Sequence, residues 1–360
     1  MGSDTGGMRG TGGTGGMRAR ERRVRREGPP LDDLDRKIGH ALQLDGRAPF
    51  SRVAEVLGVS DQTVARRWAK LRSSGTMRVL GLTEPEVLGE TIWCMRVQTT
   101  PDAAVPLAQA LARRTDTSWV ALLAGGTEVS AVVRSGVRPP PEGRPYSDLE
   151  ADNVLLSQLP RTPGVLGVTA HLQLRSYFGG AQGLVLKTGM LTAEQVAALA
   201  PPEPVRPEEP VRLAADDHGM LEVLARDGRA SYVELADAAG WSLTTARRRV
   251  AELRECGALY FDVDYGHDLF GLRVRAALWL SVPPAELEAA GKAVAQHPEV
   301  GFACAMTGPA NLFLAVVVRD TAALYTYLTG PIAELPAVRQ VETYPMIRSI
   351  KGPGPFLPPV

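Results

Sequence analysis

Residues 45–75 align without a gap on residues 227–257, and 14 of the 31 positions are identical: Asp45, Gly46, Arg47, Ala48, Ala54, Gly58, Ser60, Thr63, Arg66, Arg67, Ala69, Leu71, Arg72 and Gly75 recur 182 residues further on. The same offset relates Gly89 to Gly271. Whatever the first half folds into, the second half therefore folds into again, and the architecture is expected to be a duplicated one. Length allows it, since 360 residues with 44% hydrophobic side chains can bury more than one core.

The repeated block has a local grammar. DGRAPFSRVAEVLGVS predicts a short helix over 51–57 that stops at Gly58, a three-residue turn, and then a helix over 60–72 capped by Ser60. DGRASYVELADAAGWS places Gly240 and Ser242 identically ahead of a helix over 242–254. Apolar residues at i, i+4 and i+7 (Val64, Trp68 and Leu71; Ala246, Val250 and Leu253) mark the face of each capped helix that turns to a core. Earlier helices over 33–44 and 216–225 complete three-helix units, and the small Ala54 and Ala236 let the helices approach closely. A helix, a glycine-containing turn and a capped basic helix make a helix-turn-helix.

Charge is concentrated where that motif reads nucleic acid. The chain has no net charge, yet 61–72 holds four basic residues against one acidic, as does 243–254. Each helix is locally positive, which suits it to the phosphates beside a major groove. The residues expected to contact DNA are Ser60, Gln62, Thr63, Arg66, Arg67, Lys70 and Arg72 in the first copy, and Ser242, Thr244, Thr245, Arg247, Arg248, Arg249 and Arg254 in the second. Arg66 and Arg248 fall within the first two turns, where side chains reach base edges, and Arg67, Lys70, Arg72, Arg249 and Arg254 are assigned to phosphates. The acidic run Tyr260-Phe-Asp-Val-Asp264 predicts a weaker contact by the second copy. Two linked heads predict a double-stranded site with half-sites about one helical turn, or a multiple of it, apart.

Beyond each helical unit the hydrophobic period becomes two, or the run becomes continuous. Strands are expected over 91–99, 118–124, 128–134 and 165–174 with helices over 102–114 and 148–159, then strands over 273–282, 300–306, 311–319 and 338–346 with helices over 284–296 and 321–332. That is βαββαβ twice, so the fold class is α+β: a duplicated winged-helix-like helix-turn-helix plus a ferredoxin-like sandwich. The boundaries read as a tail over 1–30, helix-turn-helix domains over 31–82 and 213–264, sandwiches over 83–178 and 265–350, a linker over 179–212 and a tail over 351–360. The proline-rich stretch 139–147 is an insertion absent from the second copy, and the linker combines a helix over 192–199 with five prolines between 201 and 210, a stiff spacer. Each sandwich leaves one sheet face bare, which predicts an internal pseudo-dimer of the two halves and further association of chains.

The remaining features narrow the class. The first 28 residues are rich in glycine and arginine and are expected to be disordered; Arg18, Arg20, Arg22, Arg23, Arg25 and Arg26 add non-specific phosphate contacts or sit in a solvated tail, and the chain starts at Met1 or, with an upstream extension ahead of it, at Met8 or Met17. No run reaches transmembrane length and no secretory signal is visible, which predicts a soluble cytoplasmic protein with no membrane partner. Cys94, Cys256 and Cys304 lie far apart, and His40, His171, His218, His267 and His297 form no cluster, so neither a metal nor a cofactor is expected. No P-loop, G-x-S-x-G, H-E-x-x-H or dinucleotide fingerprint is present.

LDDLDRKI, DGRAPFSRVAEVLGVSDQTVARR, the Gly89 region and the turns between second and third strands resemble the Lrp/AsnC (feast/famine) family of transcriptional regulators in a tandem, double-length form, over nearly all of 31–175 and 213–350. The resemblance implies RAM-type sandwich domains with a small-ligand pocket, often for an amino acid, near a turn of the pattern T-G-x-x-D. Here the turns read Ala124-Gly125-Gly126-Thr127-Glu128 and Thr307-Gly308-Pro309-Ala310-Asn311, so ligand contact is expected at Gly125, Gly126, Thr127 and Glu128 and at Gly308, Pro309, Ala310 and Asn311. Glycine at 125 and 308 serves simple turn geometry equally well. Glu128 and Asn311 replace the usual aspartate: the ligand differs or has been lost, and Glu128 alone is placed to meet an ammonium group. The implied function is sequence-specific DNA binding with an amino-acid-like effector, and no enzyme activity. Two alternatives stand beside it, a sirohaem-decarboxylase-like tetrapyrrole enzyme and a ligand-binding module that has lost DNA binding. An enzyme has no evident use for Arg66, Arg67, Arg248 and Arg249 on both helices.

Overall fold

The computed structural model describes residues 31–136, 159–266 and 270–356. The first copy runs α1 (Asp33–Leu44), α2 (Phe50–Leu57), α3 (Asp61–Ser73), β1 (Met77–Thr83), β2 (Glu90–Thr99), α4 (Ala104–Arg113), β3 (Thr117–Leu123), β4 (Glu128–Gly136) and β5 (Val165–Phe178). Between the copies lies α5 (Ala193–Leu199). The second copy runs α6 (Asp217–Arg226), α7 (Tyr232–Ala239), α8 (Leu243–Glu255), β6 (Leu259–Tyr265), β7 (Val274–Ser281), α9 (Leu287–Gln296), β8 (Val300–Met306), β9 (Leu312–Val318), α10 (Thr321–Tyr327) and β10 (Gln340–Ser349). The basic tail, the proline insertion, His267 and all but the last residue of the helix expected over 148–159 lie outside the described residues.

Each head is built as its sequence directs. Gly58 and Gly240 end α2 and α7 in the left-handed region, both at φ 67°, where a side chain is strained. Ser60 and Ser242 then accept hydrogen bonds from the amides of Thr63 (3.2 Å) and Thr245 (3.1 Å), starting α3 and α8. Val64, Trp68 and Leu71 bury against Ile38, Leu42, Val53 and Ala54, and Ala246, Val250 and Leu253 against Met220, Leu224, Leu235 and Ala236. A fully buried side chain of this size contributes about 1.5–3 kcal/mol. Arginines at the edge of the stripe clamp α3 and α8 each to the first helix of its head. Arg67 bonds Asp32 and, at 3.3 Å, Asp35; Arg249 bonds both oxygens of Asp217 at 2.8 Å. Burial works to raise the Asp217 pKa, but the bonds from Arg249 and from the Ala214 amide outweigh it and leave the carboxyl below its ordinary value.

The two heads share one core, and β1 and β6 run through it as an antiparallel pair. Leu80 faces Asp262, its own counterpart at the 182-residue offset, so a pseudo-twofold axis passes through that pair. Reciprocal arginines surround the axis. Arg47 donates to the carbonyls of Gly228 (2.8 Å) and Ala230 (3.0 Å), while Arg229 donates to those of Gly46 (2.7 Å) and Ala48 (3.1 Å). Arg47 also lies over the Tyr232 ring and Arg229 over Phe50. Burial, with the charge of Arg47, lowers the Arg229 pKa to about 10. The acidic run 260–264, expected beside DNA, is strand β6 in this core: Asp262 accepts from Gln43 Nε2 at 3.1 Å, and Asp264 accepts from Arg78. It gives no reason for weaker DNA contact by the second copy. Burial, opposed by the Gln43 bond and reinforced by the charge of Asp264, pushes Asp262 up to about 6.

The sheets β3–β4–β2–β5 and β8–β9–β7–β10 join edge to edge, β10 with β3 and β5 with β8, into a closed eight-stranded barrel. The helices lie outside; the formerly bare faces meet inside through Cys94, Ala121, Leu123, Ala277, Trp279, Cys304 and Met306. Strands β5 and β10 run past their expected ends at Leu174 and Met346, because the extra residues pair with the other copy. Tyr177 and Phe178 pack into the second sandwich, and Ile350 and Phe356 into the first. Residues 351–356 therefore do not behave as the expected tail: Lys351 is buried and donates to the Arg114 carbonyl at 2.6 Å. Nor is the linker free. Leu199 of α5 is fully buried, Gln195 Nε2 donates to the Val56 carbonyl at 3.0 Å, and the proline stretch is held where Val205 N meets the Glu255 carbonyl at 2.8 Å.

Two stability outcomes follow from the heads. Arg249→Ala strands the fully buried Asp217 carboxylate and is expected to lower stability by about 3 kcal/mol, and adding Asp217→Ala restores much of the loss; urea unfolding followed by circular dichroism measures both, and additive losses reject the pairing. For Asp262, the folded pKa lies above the ordinary value of 3.8, so the folded state holds the proton more tightly and stability falls as pH rises from about 4 through about 6. Asp262→Asn is expected to melt higher than wild type at pH about 7.5 and no higher at pH about 3.5, and a pH-independent difference in melting temperature speaks against this origin.

Candidate functional site

On α3 the outward surface consists of Asp61, Gln62, Arg66, Ala69, Lys70, Arg72 and Ser73, all exposed. On α8 it consists of Leu243, Thr244, Arg247, Arg248, Ala251, Glu252 and Glu255. Among the described residues no carboxylate pairs with Arg66 or Lys70. Arg248 sits one turn from Glu252, at 3.3 Å, and is 72% exposed, so water or a phosphate competes for it. Arg247 lies near the Tyr232 ring, 5.4 Å from its centroid. Ser60 and Ser242 are exposed at the helix starts, and their hydroxyls meet those of Thr63 and Thr245 at 2.9 Å.

Four of the basic residues assigned to phosphates pair with carboxylates of the chain itself, Arg72 while remaining exposed. Arg67 and Arg249 hold their own heads together, as described above. Arg72 pairs with Asp227 at 2.6 Å and Arg254 with Asp45 at 2.9 Å, each reaching from one copy to the other. Of the five residues given to phosphates, Lys70 alone is unpaired among the described residues. The expectation of three net positive charges per helix thus overstates what α3 and α8 present, because the carboxylates that neutralise them lie far away in sequence. Sequence reading also gave no role to Arg47 and Arg229, whose signal was their place in the identical block Asp-Gly-Arg-Ala.

The two ligand-type turns lie where each sandwich meets the other copy. Gly125 (φ 74°), Gly126 (φ 89°) and Gly308 (φ 101°) adopt the left-handed conformations a tight turn requires. Thr127 Oγ1 donates to the Ala124 carbonyl at 3.0 Å. Thr307 Oγ1 accepts from the Leu172 amide at 2.9 Å, docking the second turn on β5 of the first copy, and the Pro309 carbonyl accepts from Ser281. Ala310 packs against the barrel interior. The side chains expected to meet a ligand are already bonded. Asn311 exchanges two hydrogen bonds with the Val282 backbone, at 2.8 and 3.0 Å. Glu128 is buried and accepts from Arg96, 2.7 Å from Nε and 3.3 Å from Nη2. Expected to meet a ligand's ammonium group, its carboxylate here meets a guanidinium of the same copy.

Arg96 is the residue the sequence concealed. Its guanidinium lies over the rings of Trp279 (4.4 Å to the centroid) and Tyr344 (4.2 Å) and bonds Glu342 at 3.2 Å. Burial works against its charge, yet the bonds to Glu128 raise its pKa above the ordinary value. One copy supplies the cation and one carboxylate, the other the two rings and the second carboxylate. His171 stands nearby, its pKa lowered by burial and by the charge of Arg96. The group can hold the two sheets together; its charged groups bond one another, while Trp279 Nε1 is buried without a hydrogen-bond partner.

The family model of the AsnC-type helix-turn-helix domain matches residues 31–72 and 215–254, and that of the Lrp/AsnC ligand binding domain matches 275–356. The HTH-type transcriptional regulator FL11 of Pyrococcus horikoshii is 39% identical over 61 residues, 17% of this chain and 40% of that protein, so the chain spans under half the length of that relative. The Bkd operon transcriptional regulator of Pseudomonas aeruginosa is 31% identical over 141 residues, 37% of this chain and 90% of that protein. Among solved structures, the siroheme decarboxylase NirDL superposes with a TM-score of 0.57 at 14% identity, covering 89% of this chain and 93% of that one, a likeness of fold. With both helix-turn-helix copies and the second sandwich matched, and a 31% identical regulator spanned almost end to end, the chain belongs to the Lrp/AsnC family, with the family's helix-turn-helix present twice.

Proposed function

We propose that the chain is a sequence-specific DNA-binding transcriptional regulator, and not an enzyme, in which one polypeptide presents two reading helices at a fixed relation and responds to a small effector. The observation that carries the reading is the unpaired pair Arg66 and Lys70 on the outward face of a helix whose other arginines are tied down. A protein that had no use for polyanions has no reason to keep two unpaired cations on one exposed helix face. Relatives named as HTH-type transcriptional regulators support the same reading. The barrel interior supports regulation over catalysis, since Arg96, Glu128, Glu342 and Tyr344 satisfy one another.

Binding curves on operator and random duplex at two salt concentrations test this. Arg66→Ala is expected to lose about 1–3 kcal/mol of discrimination between the two duplexes. Lys70→Ala should weaken both alike and reduce the salt slope by about 1. Arg72→Ala, whose partner is Asp227, is expected to leave the salt slope unchanged while loosening the heads. Operator preference unaltered in Arg66→Ala rejects α3 as the reading helix.

A further inference from the structure

A cavity of about 360 Å³ lies away from both ligand-type turns. It opens where the first head, the inter-copy segment and the second sandwich meet, and its described lining is Arg36, Leu184, Lys187, Met190, Phe270, Leu272 and Pro298. Arg36 belongs to α1, Lys187 to the tight turn Leu184–Thr188 that follows β5, and Pro298 to the connection from α9 to β8. Two cations and an otherwise apolar wall line it, and no carboxylate does.

Both cations are incompletely answered. Lys187 Nζ donates to two neutral acceptors, the carbonyls of His297 (2.9 Å) and Val300 (2.8 Å), and lies 3.5 Å from the centroid of the Phe178 ring. An ammonium carries three donors, so one is left over. Burial lowers its pKa to about 8; Glu299, which opposes that shift, forms no ion pair with it among the described residues and does not line the cavity. Arg36 reaches Asp33 through Nη1 at 3.3 Å, while its Nε is buried with no hydrogen-bond partner. A desolvated donor without an acceptor is unfavourable, and an anion in the cavity would relieve both groups at once.

We propose that this cavity binds a small carboxylate with a branched-aliphatic or aromatic body and no ammonium group, its carboxylate held between Lys187 and Arg36. The size is that of a small-ligand site, whose usual range begins at about 300 Å³. Leu184, Met190, Phe270 and Leu272 supply an apolar wall for the body of the ligand. An amino acid is disfavoured, because its ammonium would enter beside two cations with no carboxylate to receive it. Since the walls come from a head and from the opposite sandwich, occupancy bears on how the first reading helix is held. That effector role rests on the DNA-binding reading; the site itself does not.

Calorimetric titration of the full chain with hydrocinnamate, isocaproate, phenylalanine and hydrocinnamamide tests the site. The two acids are expected to bind, the amide at least about tenfold more weakly because it loses the charge-assisted bonds, and phenylalanine at least about tenfold more weakly because its ammonium meets two cations. Leu272→Trp, which fills the cavity from a half-buried position, should abolish binding, and Arg36→Gln should weaken it about tenfold, with circular dichroism unchanged in both. Equal binding of acid and amide, equal binding of phenylalanine, no heat from either acid, or undiminished binding by a folded Leu272→Trp protein overturns the proposal. A mobility-shift assay with and without hydrocinnamate separates the two readings. Ligand binding without any DNA binding upholds the site and removes the regulator; DNA binding without ligand heat does the reverse.

Discussion

A four-stranded antiparallel sheet covered by helices on one side presents an apolar face that is unstable in water, and in this chain each such face is covered by the other copy's. Trp279, Met306 and Leu123 inside the barrel carry that constraint, since none has an alternative burial within its own half. The ladders that close the barrel, β10 with β3 and β5 with β8, remove the free sheet edges as well. Because the last strand of each copy finishes in the other's core, neither sandwich is complete alone. The polar group at the centre follows from the same closure. Arg96 tolerates burial because stacking on Trp279 and Tyr344 replaces part of its hydration, and Glu128 and Glu342 supply its counter-charge.

The heads obey the same two-fold logic with different forces. The ladder between β1 and β6 places Leu80 against its own repeat partner, and the arginines and aspartates of the repeated block come in exchanged pairs: Arg47 with Arg229, Asp45 with Asp227, Arg72 with Arg254. The identical Asp-Gly-Arg-Ala block is thereby explained without nucleic acid. Its aspartate receives the other copy's arginine, its arginine seeks the other copy's carbonyls, and its glycine admits the opposing strand: a side chain at Gly46 would collide with Val79 and Phe261.

Local structure was legible in the sequence because it is written locally. Caps at Ser60 and Ser242, the glycine stops at 58 and 240 and the change of period from helix to strand all depend on neighbours a few residues away, and the elements stand within a few residues of where those signals put them. What escaped was long-range. Charge counting treats every arginine on a helix alike, yet Arg67 and Arg249 border the buried stripe and meet carboxylates of α1 and α6, while Arg66 and Arg248 point away from it. The helical wheel could have separated these pairs. Nothing local could have shown that Arg72 ends on Asp227, or that Glu128 is spent on Arg96. The acidic run 260–264 misled for a related reason, since strand pairing across the copies was needed to see it as interior.

Duplication within one chain changes what the pair of heads can express. Two identical subunits around a two-fold axis necessarily show identical reading surfaces. Here the positions of the arginine exchange stay identical and the core positions stay apolar, whereas the outward positions of α3 and α8 diverge in chemistry: Asp61 against Leu243, Gln62 against Thr244, Ala65 against Arg247, Lys70 against Glu252, Ser73 against Glu255. Of the outward residues of α3, Arg66, Ala69 and Arg72 recur as Arg248, Ala251 and Arg254. The spacing of the helices is fixed by the shared core and the arginine exchange while the chemistry they display is not. On the DNA-binding reading, the arginine common to both faces sets a shared base preference, and the positions around it make the two half-sites unequal.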